Sequence, residues 1–586
     1  PLSKPSENLW TLGFLLALLG TFGLRLYLGA VVPGYTVDMN CFAAWSLRMA
    51  GEGPWGFYAP DYFCDYPPGY MLLLWPVGLL IRAVGYADSP EVRLLIKSIP
   101  LLCDMAVALL LFSYARKRMP LKTAVFVALL FALNPAALVN GAAWGQVDTV
   151  LALLLLLTVI TAMETDWRAT VPLYTVAVLV KPQALLFGPV GALWIILRYA
   201  AADAAQRRSQ RKGFLTGFLI ALGCMALIIV PFSVGQSDPW WLFKLYQKTL
   251  ASYDYASLNT ANLMYLLGGN WASLTGANGG EAARLAWWVP VLSGVALLLT
   301  GAAALGWLKR SRWLPKGSTE QPTEPKPSVW KTSLQALKNG TPMDAQDRKT
   351  LLGDLCLAIG AVFLILATQP CTFLAYGTVW MVFAYLFAML LLLADRDANA
   401  LPFVLALMLV GVYVLGLKIH ERYLFAALAL LPLAYVRTGD RRLLWLTAGL
   451  SVTTFLNTAI VLDNAILFGA SMGHLNLDTL ALNDALCILN LLLCAYGGWI
   501  AFSGLRATPQ AEPAPKRAPR TNACYRNALL TPKDARLRLT GKDYAIMAVT
   551  AVLYAALTFT NLGSFKAPQT AWVATSANEQ VTFELD

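Results

Sequence analysis

Four short stretches carry side chains able to do chemistry, and each lies between long apolar runs. In "VVPGYTVDMNCF" (31–42), Asp38 follows closely on the first of these runs. Thr36 is placed to cap a short helix running to about Ala50, and an acid in that first turn is stabilised as a carboxylate by the helix dipole. A carboxylate presented there needs only reach to an acceptor proton to act as a general base, although the same placement suits a plain helix start. In "NPAALVNGAAWGQVDTV" (134–150), Asn134, Asn140, Trp144, Gln146 and Asp148 crowd a few residues between two apolar runs. Gln146 and Asp148 beside Trp144 have the makings of a sugar subsite, with one stacking face and several hydrogen-bonding groups.

In "LVKPQALLF" (179–187), Lys181 is expensive between two apolar runs, and Pro182 breaks the helix just where backbone groups need partners. An anionic partner such as a phosphate removes that cost. "LKIHERYLF" (417–425) adds Lys418, His420, Glu421 and Arg422, a density of potential cations suited to a phosphate, with Arg422 able to bind it through two bonds. "CDYPPGY" (64–70) fixes its backbone through Pro67 and Pro68 beside Tyr66, as befits either an interfacial aromatic belt or the rim of a site.

These stretches must be positioned by membrane helices. Of 586 residues, 58% are hydrophobic and 13% charged, far from a soluble balance, and the mean hydropathy is +0.58. Apolar runs of about 17 to 25 residues recur, and nothing alternates like barrel strands, so the expected class is an all-α polytopic membrane protein. Spans are expected near 9–32, 94–115, 122–139, 148–163, 169–181, 183–199, 213–234, 284–307, 351–369, 373–394, 401–417, 422–437, 442–462, 481–503 and 543–560. Residues 9–32 read as a retained first helix and not a signal peptide.

The net charge of +12 is not spread like a nucleic-acid footprint, and no nucleic-acid partner is expected. Nine basic against four acidic residues fall between Lys309 and Lys349, and nine against three between Arg506 and Asp543. The positive-inside rule puts both in the cytoplasm, with the cations at 116–122, 198–212 and 437–442 on the same side. That topology requires the apolar stretch at 67–85 to lie on the outer surface without crossing, and it gathers the four chemical stretches on the outer face.

The outer segment 235–283 adds Trp240, Trp241, Tyr246, Lys248, Tyr253, Asp254, Tyr255, Asn259 and Asn262, suited to a carbohydrate, a lipid headgroup or an interfacial helix. Cys41 and Cys64 share the first outer loop and could form a disulfide, while nine cysteines and two histidines, His420 and His474, show no metal spacing. Four regions result: a transmembrane region at 1–503 with a cytoplasmic linker at 308–350; a basic linker at 504–542; a last transmembrane helix at 543–560; and an outer tail at 561–586. In the tail Val581, Phe583 and Leu585 alternate like a strand, similar to the entry into a galactose-binding-like β-sandwich.

Taken in order, the acid after the first span, the outer "YPP", "NPxxxxNxxxWGQVD", "KPQ", "NxxNL" (259–263) and "HERY" resemble bacterial GT-C superfamily glycosyltransferases related to the GPI mannosyltransferases. The likeness runs from about residue 9 to 463. It implies a GT-C-like bundle of about 13–15 transmembrane helices with outer juxtamembrane helices around Tyr66, Pro67 and Pro68. It also implies transfer of mannose or another hexose, with inversion, from a polyprenyl-phosphate donor to a glycan, lipid or protein acceptor. The site would face outward from a bacterial plasma membrane and work without a metal or other cofactor. Asp38 becomes the candidate base; Lys181, His420 and Arg422 become donor-phosphate contacts; Trp144, Gln146, Asp148, Gln183, Asn259, Glu421 and Tyr423 become sugar or acceptor contacts. The single acid of "VDMN" departs from an Asp-x-Asp pair. A transporter or lipid-linked sugar flippase is the competing expectation, resting on Asp104 inside the second span, and a non-catalytic lipid-binding scaffold is a third.

Overall fold

In the computed structural model, residues 5–506 are described except for 60, 87, 277–280, 307–342 and 469–476. The chain divides into two compact units, 1–537 and 538–586, and of the second only helical residues 545–546, 548–550 and 552 are described. Most of the linker expected at 308–350, most of the linker at 504–542, most of the helix at 543–560, and all of the tail at 561–586 and His474 therefore lie outside the described residues.

Apolar run length dictates most of what forms in the first unit. Helices α1 (Pro5–Val31), α2 (Thr36–Phe57), α3 (Pro68–Val84), α4 (Pro90–Arg116) and α5 (Leu121–Ala132) are followed by a short turn, α6 (Pro135–Ala137), then by a π-helix (Leu138–Trp144). Next come α7 (Asp148–Met163), α8 (Trp167–Val180), a 3-10 turn (Pro182–Phe187), α9 (Gly188–Ala200), α10 (Ala204–Ser233), α11 (Trp241–Ala251), α12 (Leu263–Leu266) and α13 (Trp288–Ala304). The described part closes with α14 (Ala345–Leu366), α15 (Phe373–Asp395), α16 (Leu401–Leu415), α17 (Phe425–Thr438), α18 (Arg442–Phe468) and α19 (Leu477–Ser503).

Among the described residues nine helical segments are long and apolar enough to cross a membrane, and six shorter apolar helices accompany them. Two of them, α16 and α17, are buried almost all round, so they form a central hairpin walled by other helices instead of by lipid.

Three local details differ from expectation. Tyr35, extended, stands at the N-cap of α2 without a side-chain bond to the cap, and Thr36 is already helical. That helix runs past Ala50 to Phe57 through a break at Gly53, whose φ of 65 suits glycine and is followed by Pro54, which has no N–H to continue the ladder. Cys41 and Cys64 are free thiols, with Cys64 Sγ turned to the Tyr66 carbonyl at 3.5 Å.

The 67–85 stretch becomes α3, begun by Pro68 in its first turn. Its Tyr70, Leu74, Gly78 and Ile81 are buried, while Leu73, Leu79, Leu80 and Val84 stay exposed. At Gly78 a Cβ would strike the Ser46 carbonyl, which seats α3 closely on α2. One face of α3 is thus packed on protein, and the other is apolar and uncovered.

The segment 253–276 folds as a loop set into the bundle. Asn457 of α18 accepts from the Ala261 N–H (2.9 Å) and the Tyr413 hydroxyl (3.1 Å) and donates to the Asn259 carbonyl (2.9 Å). Asn490 donates to the Ala261 carbonyl at 2.7 Å. The loop in turn supports the "HERY" segment, since the Leu258 N–H and the Thr260 hydroxyl both donate to the Ile419 carbonyl. Asn457→Leu leaves buried backbone groups unmade and is expected to cost about 1–3 kcal/mol. Hydrogen exchange should rise at 257–262 before it rises elsewhere; unchanged protection there would remove this role.

Deeper in the bundle, Arg25 Nε pairs with Asp104 Oδ2 at 3.0 Å and its Nη1 donates to the Ala132 carbonyl at 2.7 Å, while Thr149 donates to Asp104 Oδ1 at 2.8 Å. Asp104 is thus a compensated structural acid. Lys97, fully buried, donates to the carbonyls of Gly29, Val32 and Ala143, at 3.2, 2.7 and 2.9 Å. It ties the end of α1 to the π-helix, joining the two segments that lead to Asp38 and Trp144.

Candidate functional site

Asp38 is set in the first turn of α2 by the bend at 33–35. Gly34 there takes φ +88, and a Cβ on it would meet the Trp144 carbonyl at 2.7 Å, so only glycine lets the two segments cross this closely. On the facing segment the π-helix ends at Gly145, also left-handed at φ 93, which turns the next side chains toward Asp38. Trp144 Nε1 donates to Asp38 Oδ2 at 2.7 Å, and Gln146 Nε2 donates to the same oxygen. The carboxylate is therefore held by two neutral donors, with no ion pair within 4 Å among the described residues.

Beside it lies a chain of buried charges. Asp148 opens α7, and Lys181, placed by the Pro182 break after α8, donates to its Oδ1 at 2.6 Å; both are almost fully buried. Arg422 Nη1 pairs with Glu421 at 2.7 Å, and Arg422 Nε stands 3.8 Å from Asp148 Oδ2. Those last two atoms are buried and have no hydrogen-bond partner, which leaves bonding capacity on both sides of a short gap. The Arg422 guanidinium lies 5.6 Å from the Trp144 ring centre, so Trp144 is the wall shared by the Asp38 carboxylate and the charged chain.

The four stretches thus meet, though not every residue plays its expected part. Trp144 is stacked by Tyr35 at 4.9 Å, lies under Arg422 and is 1% exposed, so it has no free face for a sugar. His420 packs edge-on to Tyr253 at 4.8 Å and against Tyr423 at 5.2 Å. Burial, with Arg422 and Lys181 adding, pushes its pKa well below the usual value, which disfavours a third cation beside them. Burial raises the Glu421 carboxyl while Arg422 opposes the shift. Gln183 Nε2 donates to the Tyr423 carbonyl at 3.0 Å, and Lys181 Nζ sits 5.9 Å from the Tyr423 ring. Asn259 Oδ1 turns to its own loop, accepting from Asn270 and Trp271 at 3.1 and 2.9 Å. Tyr66 packs between Phe42, Trp45 and Tyr70. At the start of α3, a Cβ on Gly69 would strike the Leu179 carbonyl, bringing the Pro67–Pro68 corner against the end of α8 two residues before Lys181.

Asp65 is the site acid that sequence reasoning passed over. Its backbone carbonyl accepts from Thr249 at 2.9 Å, and its carboxyl is raised by burial and by Asp38, with Arg422 and Lys181 opposing. An acid fixed immediately ahead of a Tyr-Pro-Pro corner was the available signal. A raised carboxyl makes the fold bind a proton more tightly than the unfolded chain does. Stability should therefore fall as pH rises from the ordinary carboxylate value through the raised one. Asp65→Asn is expected to unfold at a higher temperature than wild type at pH 7, with the gap closing toward pH 4; a constant gap would refute the assignment.

No protein-family model matches the chain, and no curated protein compared with it matches. The fold and composition define an all-α polytopic membrane protein.

Proposed function

We propose that the chain is an inverting glycosyltransferase that moves mannose or another hexose from a polyprenyl-phosphate donor to a glycan, lipid or protein acceptor at the outer face of a bacterial plasma membrane. The observation that carries this reading is the Asp38 carboxylate, held by Trp144 and Gln146 without a cation and separated only by the Trp144 ring from the buried Lys181–Asp148–Arg422–Glu421 chain. A carboxylate fixed by neutral donors keeps a lone pair for an acceptor proton. The neighbouring cations suit a departing phosphate, and Arg422 Nε is unbonded.

In the proposed step the acceptor hydroxyl gives its proton to Asp38 and its oxygen bonds to the anomeric carbon. The bond from that carbon to the phosphate oxygen breaks, and its electron pair leaves on the phosphate. Arg422 and Lys181 stabilise the developing charge. The competing transporter reading rested on Asp104, which is satisfied by Arg25 and Thr149.

The test is purified protein in nanodiscs, incubated with a panel of radiolabelled polyprenyl-phosphate sugars and an acceptor extract. One donor should be consumed with release of the lipid phosphate, and EDTA should leave the rate unchanged. Consumption of no donor with any acceptor would overturn the proposal.

A further inference from the structure

A cavity of about 730 Å³ lies among α13, α14, α15, α16 and α19, and none of its lining residues belongs to the Asp38 site. Its walls are apolar, with Phe387, Met408 and Phe502 among them, and its volume is within the range of small-molecule pockets. Polar groups gather at one end. Gln346 and Lys349 come from the first turns of α14, and Ser503 is the last residue of α19.

That end is the opposite one from the Arg422 loop. Nearby cations are already compensated: Arg348 pairs with Asp395 at 2.8 Å, and Arg442 pairs with Asp440 at 2.6 Å while donating to Ser503 Oγ. Lys349 lines the cavity and has no ion pair among the described residues. The cationic connections at 116–122, 198–212 and 437–442 lie at this end, which the positive-inside rule makes cytoplasmic. The leaflet there is the one rich in anionic lipid.

We propose that this cavity holds an acyl chain of an anionic phospholipid from the inner leaflet, with the lipid phosphate on Lys349. A polyprenyl phosphate anchored at Arg422 would reach the cavity from the wrong end and leave Lys349 unmatched, so the occupant is distinct from the proposed donor.

The experiment is native mass spectrometry of the delipidated full chain titrated with dioleoyl phosphatidylglycerol or dioleoyl phosphatidylcholine. Wild type is expected to hold one phosphatidylglycerol, preferred about fivefold, the ratio that corresponds to about 1 kcal/mol for one basic residue. Lys349→Gln should erase the preference. Gly498→Phe should abolish the adduct, because Gly498 lines the cavity and a Cβ there meets nothing within 4 Å, so the ring enters open space without disturbing the helix. Size-exclusion behaviour and melting temperature check that this variant folds. Undiminished binding by Gly498→Phe, equal affinity for the two lipids in wild type, no retained lipid, or one-for-one displacement by a polyprenyl phosphate would each overturn the proposal. None of these readouts depends on glycosyl transfer.

Discussion

Asp38→Asn should fold as wild type does and lose donor consumption by about 10²- to 10⁴-fold, the usual contribution of a positioned general base. The substitution keeps the side chain's shape and an oxygen able to accept from Trp144 and Gln146, so the crossing at Gly34 and the start of α2 survive. What it removes is the basic lone pair. Were Asp38 only a favourable first-turn acid, the variant would retain its turnover and lose about 0.3–1 kcal/mol of helix stabilisation. Turnover measured beside melting temperature separates the two: a large loss in rate with little change in stability supports the base, and the reverse pattern rejects it.

The second large effect is expected at the Lys181–Asp148 pair. Both side chains are buried, so Lys181→Met strands the Asp148 carboxylate beside a single distant contact from Arg422 and should cost about 3–5 kcal/mol. The double variant Lys181→Met with Asp148→Leu removes both charges and should recover most of that stability. It should not recover donor binding, because the cation is still missing and Arg422 has lost its neighbour. A double variant with wild-type KM for the donor would show that the pair is structural only.

Elements bounded by apolar run length were legible from sequence, because burying or lipid-exposing about twenty apolar residues leaves few alternatives to a helix. The meeting of Asp38, Trp144, Gln146, Asp148, Lys181 and Arg422 was legible in outline, since each is a polar residue stranded between such runs. Side-chain partnership was not. Nothing in the spacing says that Trp144 is sandwiched by Tyr35 and Arg422, that His420 packs against Tyr253 and Tyr423, or that Asn259 turns back on Asn270. Those outcomes depend on contacts between residues far apart in the chain. Asp65 escaped for the same reason, because its environment is built by α11 and the "HERY" loop and not by its own neighbours.

The π-helix at 138–144 makes the site sensitive to length as well as to side-chain identity. A π turn already holds one residue more than an α turn, and each further residue turns the following ones by about 100°, so adding one residue to Leu138–Trp144 would swing the indole off Asp38 while every apolar residue kept its type. In this stretch counting is part of the chemistry: a tolerated substitution and an intolerable insertion can fall on the same residue.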